Sequence, residues 1–110
     1  MRTVKELLTE DDVTSVMSKK KKESFLILYY SEWCDRSKSL TALIEKWKER
    51  EGTETLYLIS SWKLPWAFSI FKITSAPSLV KNKKGRVSVD IEYPTLYKFF
   101  TQDLPQGARA

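Results

Sequence analysis

Along the chain, continuous apolar runs alternate with segments in which apolar residues recur every three or four positions. Residues 25–30 are all apolar or aromatic, which is typical of a strand buried on both faces of a sheet. Residues 37–50 then show a helical repeat with charged residues between the apolar ones. The apolar positions of this repeat are Leu40, Leu43, Ile44 and Trp47. The pattern predicts a buried strand followed directly by an amphipathic helix.

The same reasoning predicts four more strands and three more helices. The strands are expected at residues 4–8, 55–59, 76–80 and 86–91, with a turn at residues 82–85. One helix should follow Thr9, whose hydroxyl can cap it, and two should begin at Pro65 and Pro94, since proline suits a first helical turn. Gly52 is placed to end the long helix. Most of the aromatic residues near Pro65 are expected in the core (Trp62, Trp66 and Phe68), although two tryptophans so close together would form an anchoring patch if they were exposed.

The predicted element order is β-α-β-α-β-α-β-β-α over one domain of residues 1–101, followed by a polar tail at residues 102–110. Because strand and helix alternate in the first half, its strands should pair in parallel, whereas the second half ends in a hairpin and a helix. The expected fold class is therefore α/β, with three α/β/α layers and helices on both faces of a mixed central sheet.

Composition narrows the chemistry. One cysteine and no histidine exclude an intrachain disulfide and the acid–base, triad and common zinc chemistries that need imidazole. No apolar run approaches the roughly 20 residues of a membrane span, and residues 1–10 lack the apolar segment of a signal peptide. We therefore predict a soluble cytoplasmic protein with no membrane partner and no metal site.

The net charge of +5 raises the question of a nucleic-acid partner. The basic residues cluster in the run at residues 19–22 and in the turn-like segment at residues 81–86. They could form a phosphate-binding patch, but no RNP-like or helix-turn-helix pattern accompanies them, so we interpret them as solvated loop side chains and do not predict nucleic-acid binding.

Cys34 lies directly after the predicted buried strand, where the amphipathic helix begins. Unpaired N–H groups and the helix dipole stabilise a thiolate at such a position and lower the pKa of the cysteine. The charge of Arg36 would add to this effect, and that of Asp35 would oppose it. Two interpretations remain open at this point: a reactive thiol, or a small apolar side chain that fills space.

Three segments resemble the thioredoxin family. Residues 31–38 (SEWCDRSK) are similar to the family's AEWCGPCK, and residues 71–79 (FKITSAPSL) are similar to its YGIRGIPTL, which carries a cis-proline. Residues 81–85 resemble the family's Lys-Asn-Gly hairpin. Since the three matches have the family's order and spacing, the resemblance implies a thioredoxin fold.

The resemblance also implies a substrate groove, with a cis peptide bond at Pro77. An extended peptide would lie between Cys34 and the backbone of residues 76–77 and form edge hydrogen bonds there. The implied catalytic residues are Cys34 and Ser37, and the implied substrate-binding residues are Trp33, Asp35, Arg36, Ala76 and Pro77.

The departures from the family concern its second thiol. Ser37 occupies the position of the resolving cysteine, and a hydroxyl can neither attack a mixed disulfide effectively nor form one. The family's buried aspartate and its lysine partner correspond to Leu28 and Leu58. We therefore expect dithiol oxidoreduction to be absent.

Two functions fit this pattern. The first is monothiol exchange, in which Cys34 forms a mixed disulfide with a protein or glutathione and an external thiol resolves it. The alternative is a redox-inactive thioredoxin-fold subunit that docks to a protein partner, either as a monomer or within a larger assembly. Iron–sulfur ligation fits poorly, because the Cys-Gly-Phe-Ser context and glutathione-binding residues of such proteins are missing, so no cofactor is predicted.

Overall fold

Five strands, three α-helices and one 3-10 helix make up the computed structural model, which describes residues 1–102. The strands are β1 (Thr3–Glu6), β2 (Ser24–Tyr30), β3 (Thr55–Ser60), β4 (Ser78–Lys83) and β5 (Arg86–Asp90). The helices are α1 (Glu10–Ser18), α2 (Asp35–Glu49), α3 (Tyr93–Thr101) and the 3-10 helix Pro65–Ser69. Of the predicted tail, residues 103–110 lie outside the described residues. Within the described range, no helix has the length and apolar content to cross a membrane.

The strand order in the sheet is β1-β3-β2-β4-β5. The first three strands of the chain pair in parallel, β4 runs antiparallel to β2, and β5 runs antiparallel to β4. β2 is the central strand, which explains its unbroken apolar sequence: Phe25 to Tyr30 are buried on both faces. The predicted α/β class with a mixed sheet is confirmed.

Two separate cores lie on the two faces of the sheet. Alternating residues of β2 divide between them, so that Ile27 and Tyr29 face one core while Leu26 and Leu28 face the other. The first core contains residues of α1 and the 3-10 helix, and the second contains residues of α2 and α3. Each face of the sheet is thus covered by helices, as a three-layer arrangement requires.

The start of α1 follows the prediction. The Thr9 hydroxyl accepts a hydrogen bond from the Asp12 backbone N–H at 3.1 Å, and the Asp12 carboxylate accepts from the N–H of Thr9 at 3.2 Å. A further bond from the Leu8 N–H to this carboxylate, 2.8 Å long, is the main cause that lowers the pKa of Asp12.

Two local predictions need correction. The segment that begins at Pro65 forms a 3-10 helix of five residues, because the chain turns at Lys72, whose φ is +57°, toward the start of β4. The helix α2 ends at Glu49 with Arg50 as its cap, so Gly52 is not a helix cap. A Cβ at Gly52 would lie 2.5 Å from both the Arg2 Nε and the Glu54 Oε1 atoms, so this glycine permits a close approach.

Asn82 connects two loops at the end of the sheet where β2 begins. Its side-chain amide is buried and donates to the carbonyl oxygens of Lys20 and Glu23, both at 2.9 Å. Its carbonyl oxygen accepts from the Gly85 N–H at 3.1 Å. One side chain thereby holds the α1–β2 loop against the β4–β5 turn.

Replacing this side chain should destabilise the protein. In Asn82→Ala the Lys20 and Glu23 carbonyl groups and the Gly85 N–H lose their buried partner, so we expect the free energy of unfolding to fall by about 1–3 kcal/mol. Urea denaturation followed by circular dichroism measures this. The exposed neighbour provides a control, since Lys83→Ala should change stability by less than about 0.5 kcal/mol. Equal midpoints for the two variants would contradict the role assigned to Asn82.

Candidate active site around Cys34

Cys34 is the N-cap residue of α2, in the loop that follows the central strand β2. Its backbone is extended, with φ −99° and ψ 123°, and its carbonyl oxygen accepts the first helical bond from the Lys38 N–H at 3.0 Å. The thiol is half-buried. It therefore stands beside the unpaired N–H groups of the first helical turn and remains accessible to a substrate.

These N–H groups hold the pKa of the Cys34 thiol below its ordinary value. The largest contribution is a hydrogen bond from the Ser37 backbone N–H, and the Arg36 N–H and the Ser37 hydroxyl add to it. Partial burial and the negative charge of Asp35 act in the opposite direction. The site thus raises the share of the thiolate, the nucleophilic form, above that of an ordinary cysteine at the same pH.

Ser37 links the thiol to the loop that precedes it. Its side chain is fully buried, and its oxygen accepts a hydrogen bond from the Ser31 N–H at 3.1 Å. Its hydroxyl hydrogen remains available for the sulfur of Cys34. The Ser31 hydroxyl in turn accepts a hydrogen bond from the Trp33 N–H at 3.3 Å. The hydroxyl groups of Ser31 and Ser37 thus both bind backbone N–H groups of the loop between β2 and α2.

The opposite wall of the site is the Ala76–Pro77 peptide, which is cis. The Cys34 Sγ lies 3.7 Å from the Ala76 carbonyl oxygen, toward which the thiol donates a weak hydrogen bond. Ala76 is half-buried and Pro77 is buried. The structure therefore brings together residues that are 42 positions apart in the chain.

Asp35 and Arg36 are both exposed, but neither side chain lines this wall. The Arg36 guanidinium lies 5.3 Å from the ring centre of Tyr93 on α3. The expectation that the charge of Arg36 lowers the pKa of Cys34 is therefore corrected. Arg36 lowers this pKa through its backbone N–H instead. Asp35 opposes the shift, as expected from its charge.

Solved structures with a similar fold include thioredoxins, although the sequence matches no family model and no curated protein. Reduced thioredoxin pre-protein of Schistosoma mansoni has a TM-score of 0.72 at 16% identity, covering 91% of this chain and 97% of that one. Malassezia sympodialis thioredoxin has a TM-score of 0.70 at 17% identity, covering 91% and 90% respectively. The chain has the thioredoxin fold.

A third similar structure comes from work on the thiol resolving mechanism in the yeast mitochondrial 1-Cys peroxiredoxin via glutathione/thioredoxin systems. It is 19% identical with a TM-score of 0.62, covering 90% of this chain and 94% of that one. Identities of this size show the fold alone, so the chemistry of the site has to be argued from the residues present.

Within this thioredoxin fold, two leucines lie side by side beneath the site. Leu28 of β2 and Leu58 of β3 are partners in the parallel register, and both pack in the core next to α2 and α3. Leu28 is fully buried. The position below the site is therefore apolar, and no charged pair is buried there.

The surface beside Cys34 is aromatic. Trp33 and Trp62 are 67% and 69% exposed, and their rings meet edge to face with centres 5.1 Å apart. We call these two residues the tryptophan pair. The prediction that Trp62 and Trp66 lie in the core is wrong, since Trp66 is also 44% exposed, whereas Phe68 does pack against the core.

The sequence does contain a signal for Trp62. It follows β3, the parallel neighbour of β2, and the carboxyl ends of parallel strands lie at the same edge of a sheet. Ser60 at the end of β3 donates to the Glu32 carboxylate at 2.6 Å and accepts from the N–H of Trp62 at 3.1 Å. This hydrogen-bonded hydroxyl joins the loops that carry the two tryptophans.

Removing the Ser37 hydroxyl should destabilise the thiolate form of Cys34. We expect the pKa of Cys34 to rise in Ser37→Ala, and its alkylation at neutral pH to slow accordingly. The rate of iodoacetamide reaction against pH measures this, since no other thiol is present. Ser39→Ala, an exposed serine on the same helix, should leave the profile unchanged. If the dependence of the reaction rate on pH is the same in Ser37→Ala, the hydroxyl does not contribute to the lowered pKa of Cys34.

Proposed function

We propose that the protein carries out thiol–disulfide exchange with the single thiol of Cys34. The observation that supports this most directly is the combination of an accessible sulfur with a pKa lowered by the N–H groups of α2 and by Ser37. A cysteine kept only as an apolar filler has no need of these donors.

The reaction has two steps. The Cys34 thiolate attacks one sulfur of a substrate disulfide, a mixed disulfide with Cys34 forms, and the other substrate sulfur leaves as a thiolate that takes up a proton from water. An external thiol then attacks the mixed disulfide. It releases Cys34 as a thiolate and forms a new disulfide with the remaining substrate sulfur, so the external sulfur is oxidised while the substrate sulfur that left first is reduced to a thiol.

The external thiol is required because Ser37 has no sulfur and is committed to Ser31 and Cys34. Glutathione is the small thiol that we propose for this step. A cytoplasmic location would supply it, since that compartment keeps thiols reduced.

The substrate that fits best is an extended segment of a protein. The Ala76 carbonyl, 3.7 Å from the sulfur, marks the backbone along which such a segment would lie. Trp33 provides an exposed apolar wall on the other side. The similarity to a structure from studies of thiol resolving in a 1-Cys peroxiredoxin agrees with a protein as the partner in the exchange.

A trapping experiment tests the reaction. After incubation with glutathione disulfide, mass spectrometry should find one glutathione bound to Cys34, and the adduct should persist until a free thiol is added. In Ser37→Cys the introduced thiol should displace glutathione and leave an intrachain disulfide. Circular dichroism checks that the variant is folded.

The unfolded protein is the control for the trapping rate. Since the folded thiol has the lower pKa, the adduct should form faster at neutral pH in the folded chain than in urea. An adduct that forms no faster than in the unfolded control would count against a redox role for Cys34.

One observation favours a second function, that of a redox-inactive docking subunit. The tryptophan pair exposes two large rings beside the site, and exposed tryptophans are common anchors in protein interfaces. In this function a protein partner would cover Trp33 and Trp62, and Cys34 would not react.

Variants of both residues separate the two functions. A docking partner captured under reducing conditions should bind Cys34→Ala as well as the unchanged protein. Its affinity should fall by at least about thirtyfold in Trp62→Ala, as for an anchoring residue. Tyr97→Ala, which removes another exposed aromatic ring on α3, is the matched control. A partner that is lost with Cys34→Ala would instead support the exchange reaction.

A further inference from the structure

The strand β5 ends the sheet, and its outer edge is open. All of its residues from Arg86 to Asp90 are exposed or half-exposed, and it pairs with β4 without a bulge. Exposed edge strands are usually protected by lysine, proline or a bulge within the strand. β5 (RVSVD) contains no lysine, proline or bulge, and its charged residues, Arg86 and Asp90, stand only at its two ends, whereas the other edge strand, β1, has four residues and includes Lys5.

The hairpin geometry identifies the free backbone groups. Lys84 and Gly85 both have positive φ, +51° and +98°, which is the two-residue turn that closes on a hydrogen-bonded pair. Lys83 and Arg86 form that closing pair, and bonded and non-bonded pairs alternate beyond it. The N–H and C=O groups of Val87 and Val89 therefore point away from β4, toward solvent.

The two faces of β5 differ in chemistry. On the face shared with α1, Val87 and Val89 are 37% and 39% exposed, and Ile91 just beyond the strand is 57% exposed. On the face shared with α3, Arg86 stands opposite Lys83, and Ser88 stands opposite Lys81. Apolar residues thus lie on one face of β5, while the other face carries Arg86, Ser88 and Asp90 beside Lys83 and Lys81 of β4.

The basic face forms a cleft of about 340 Å³, which includes Lys81, Lys83 and Arg86 in its lining. Lys81 is oriented by the Asp90 carboxylate at 3.0 Å and by the ring of Phe99, whose centre is 4.9 Å from its Nζ. Within residues 1–102, Lys83 and Arg86 are in no ion pair, so their charges are available to a partner.

A second basic segment lies beside this cleft. Through its bonds to Lys20 and Glu23, Asn82 holds the lysine run of residues 19–22 next to the β4–β5 turn. Two basic segments about 60 residues apart in sequence therefore meet at this end of the sheet, with the Lys20 Nζ over the Phe71 ring on the α1 face. Together they hold eight of the 19 basic residues of the chain: Lys19, Lys20, Lys21, Lys22, Lys81, Lys83, Lys84 and Arg86.

We propose that β5 is a docking edge for an extended acidic segment of a partner protein. The segment adds to the sheet as a sixth strand and bonds to the free N–H and C=O groups of Val87 and Val89. Its acidic side chains meet the basic face, and its alternate apolar side chains cover the two valines. The site is independent of Cys34, which lies beyond the other end of the seven-residue β2, about 20 Å away.

Charge favours this occupant over two others. A second copy of the chain would pair β5 with β5 and bring two surfaces of eight basic residues together, which like-charge repulsion opposes. A nucleic acid would neutralise the lysines but would leave the valines and the edge N–H groups without partners. An acidic strand satisfies the charges, the apolar side chains and the backbone together.

The probe is a fluorescein-labelled peptide of alternating glutamate and valine, eight residues long, titrated with the full chain and followed by fluorescence anisotropy. A peptide of the same composition with four glutamates followed by four valines is the matched control. We expect the alternating peptide to bind at least about tenfold more tightly, because only it can place acids and valines on opposite faces of a strand.

Variants of Val89 test the backbone contact. The N–H of Val89 is not used by β4, so Val89→Pro should keep the fold and weaken peptide binding by about tenfold, while Val89→Thr should not. If Val89→Pro does not fold, hydrogen exchange in the unchanged protein provides the test instead. The backbone amides of Val87 and Val89 should then exchange more slowly when the peptide is bound.

Several outcomes would overturn the proposal. Equal binding of the two peptides, or tighter binding of an eight-nucleotide oligo(dT), would reduce the surface to a general polyanion site. A dimer that sedimentation detects without peptide and that Val89→Pro abolishes would assign the edge to a second copy. Unchanged exchange at both valine amides would exclude strand addition.

Discussion

Burial of β2 on both faces is the constraint on which the rest of the structure depends. A strand with six successive buried residues has to lie in the centre of a sheet and needs a helical layer on each side. The parallel pairing with β3 and the antiparallel pairing with β4 fill its two edges. The end of this strand is therefore held firmly, and the loop carrying Cys34 starts from a rigid base.

A small number of hydrogen-bond donors at this position stabilises the Cys34 thiolate. The first turn of α2 supplies backbone N–H groups, and Ser37 supplies a hydroxyl in the position where a second thiol would stand in a dithiol enzyme. The same hydroxyl secures the Ser31 N–H. Serine is thus structurally and electrostatically useful here, although it cannot resolve a mixed disulfide. The apolar Leu28 and Leu58 agree with this, because no buried thiol below the site requires proton transfer.

The two ends of the sheet differ in chemistry. At the carboxyl end of β2 lie the sulfur and the exposed tryptophan pair, whereas at its amino end Asn82 gathers basic loops beside the open edge of β5. The loops at both ends are anchored by single buried polar side chains, Ser60 and Asn82, each of which satisfies several backbone groups. Each end of the sheet therefore presents its own set of exposed side chains, and these side chains do not take part in the packing of the two cores.

The sequence by itself determined the element order, the central position of β2, the cap at Thr9 and the place of Cys34 at a helix start, since periodicity and capping are local properties of the chain. The short 3-10 helix at Pro65, the exposure of Trp62 and Trp66 and the stacking of Arg36 on Tyr93 were decided by the tertiary structure. The contact between Cys34 and the Ala76 carbonyl, and the union of the two basic segments, also belong to the tertiary structure. The physical reason is that apolarity predicts burial only on average. Which aromatic ring remains outside depends on which helix or strand packs against it, and that depends on residues far away in the chain.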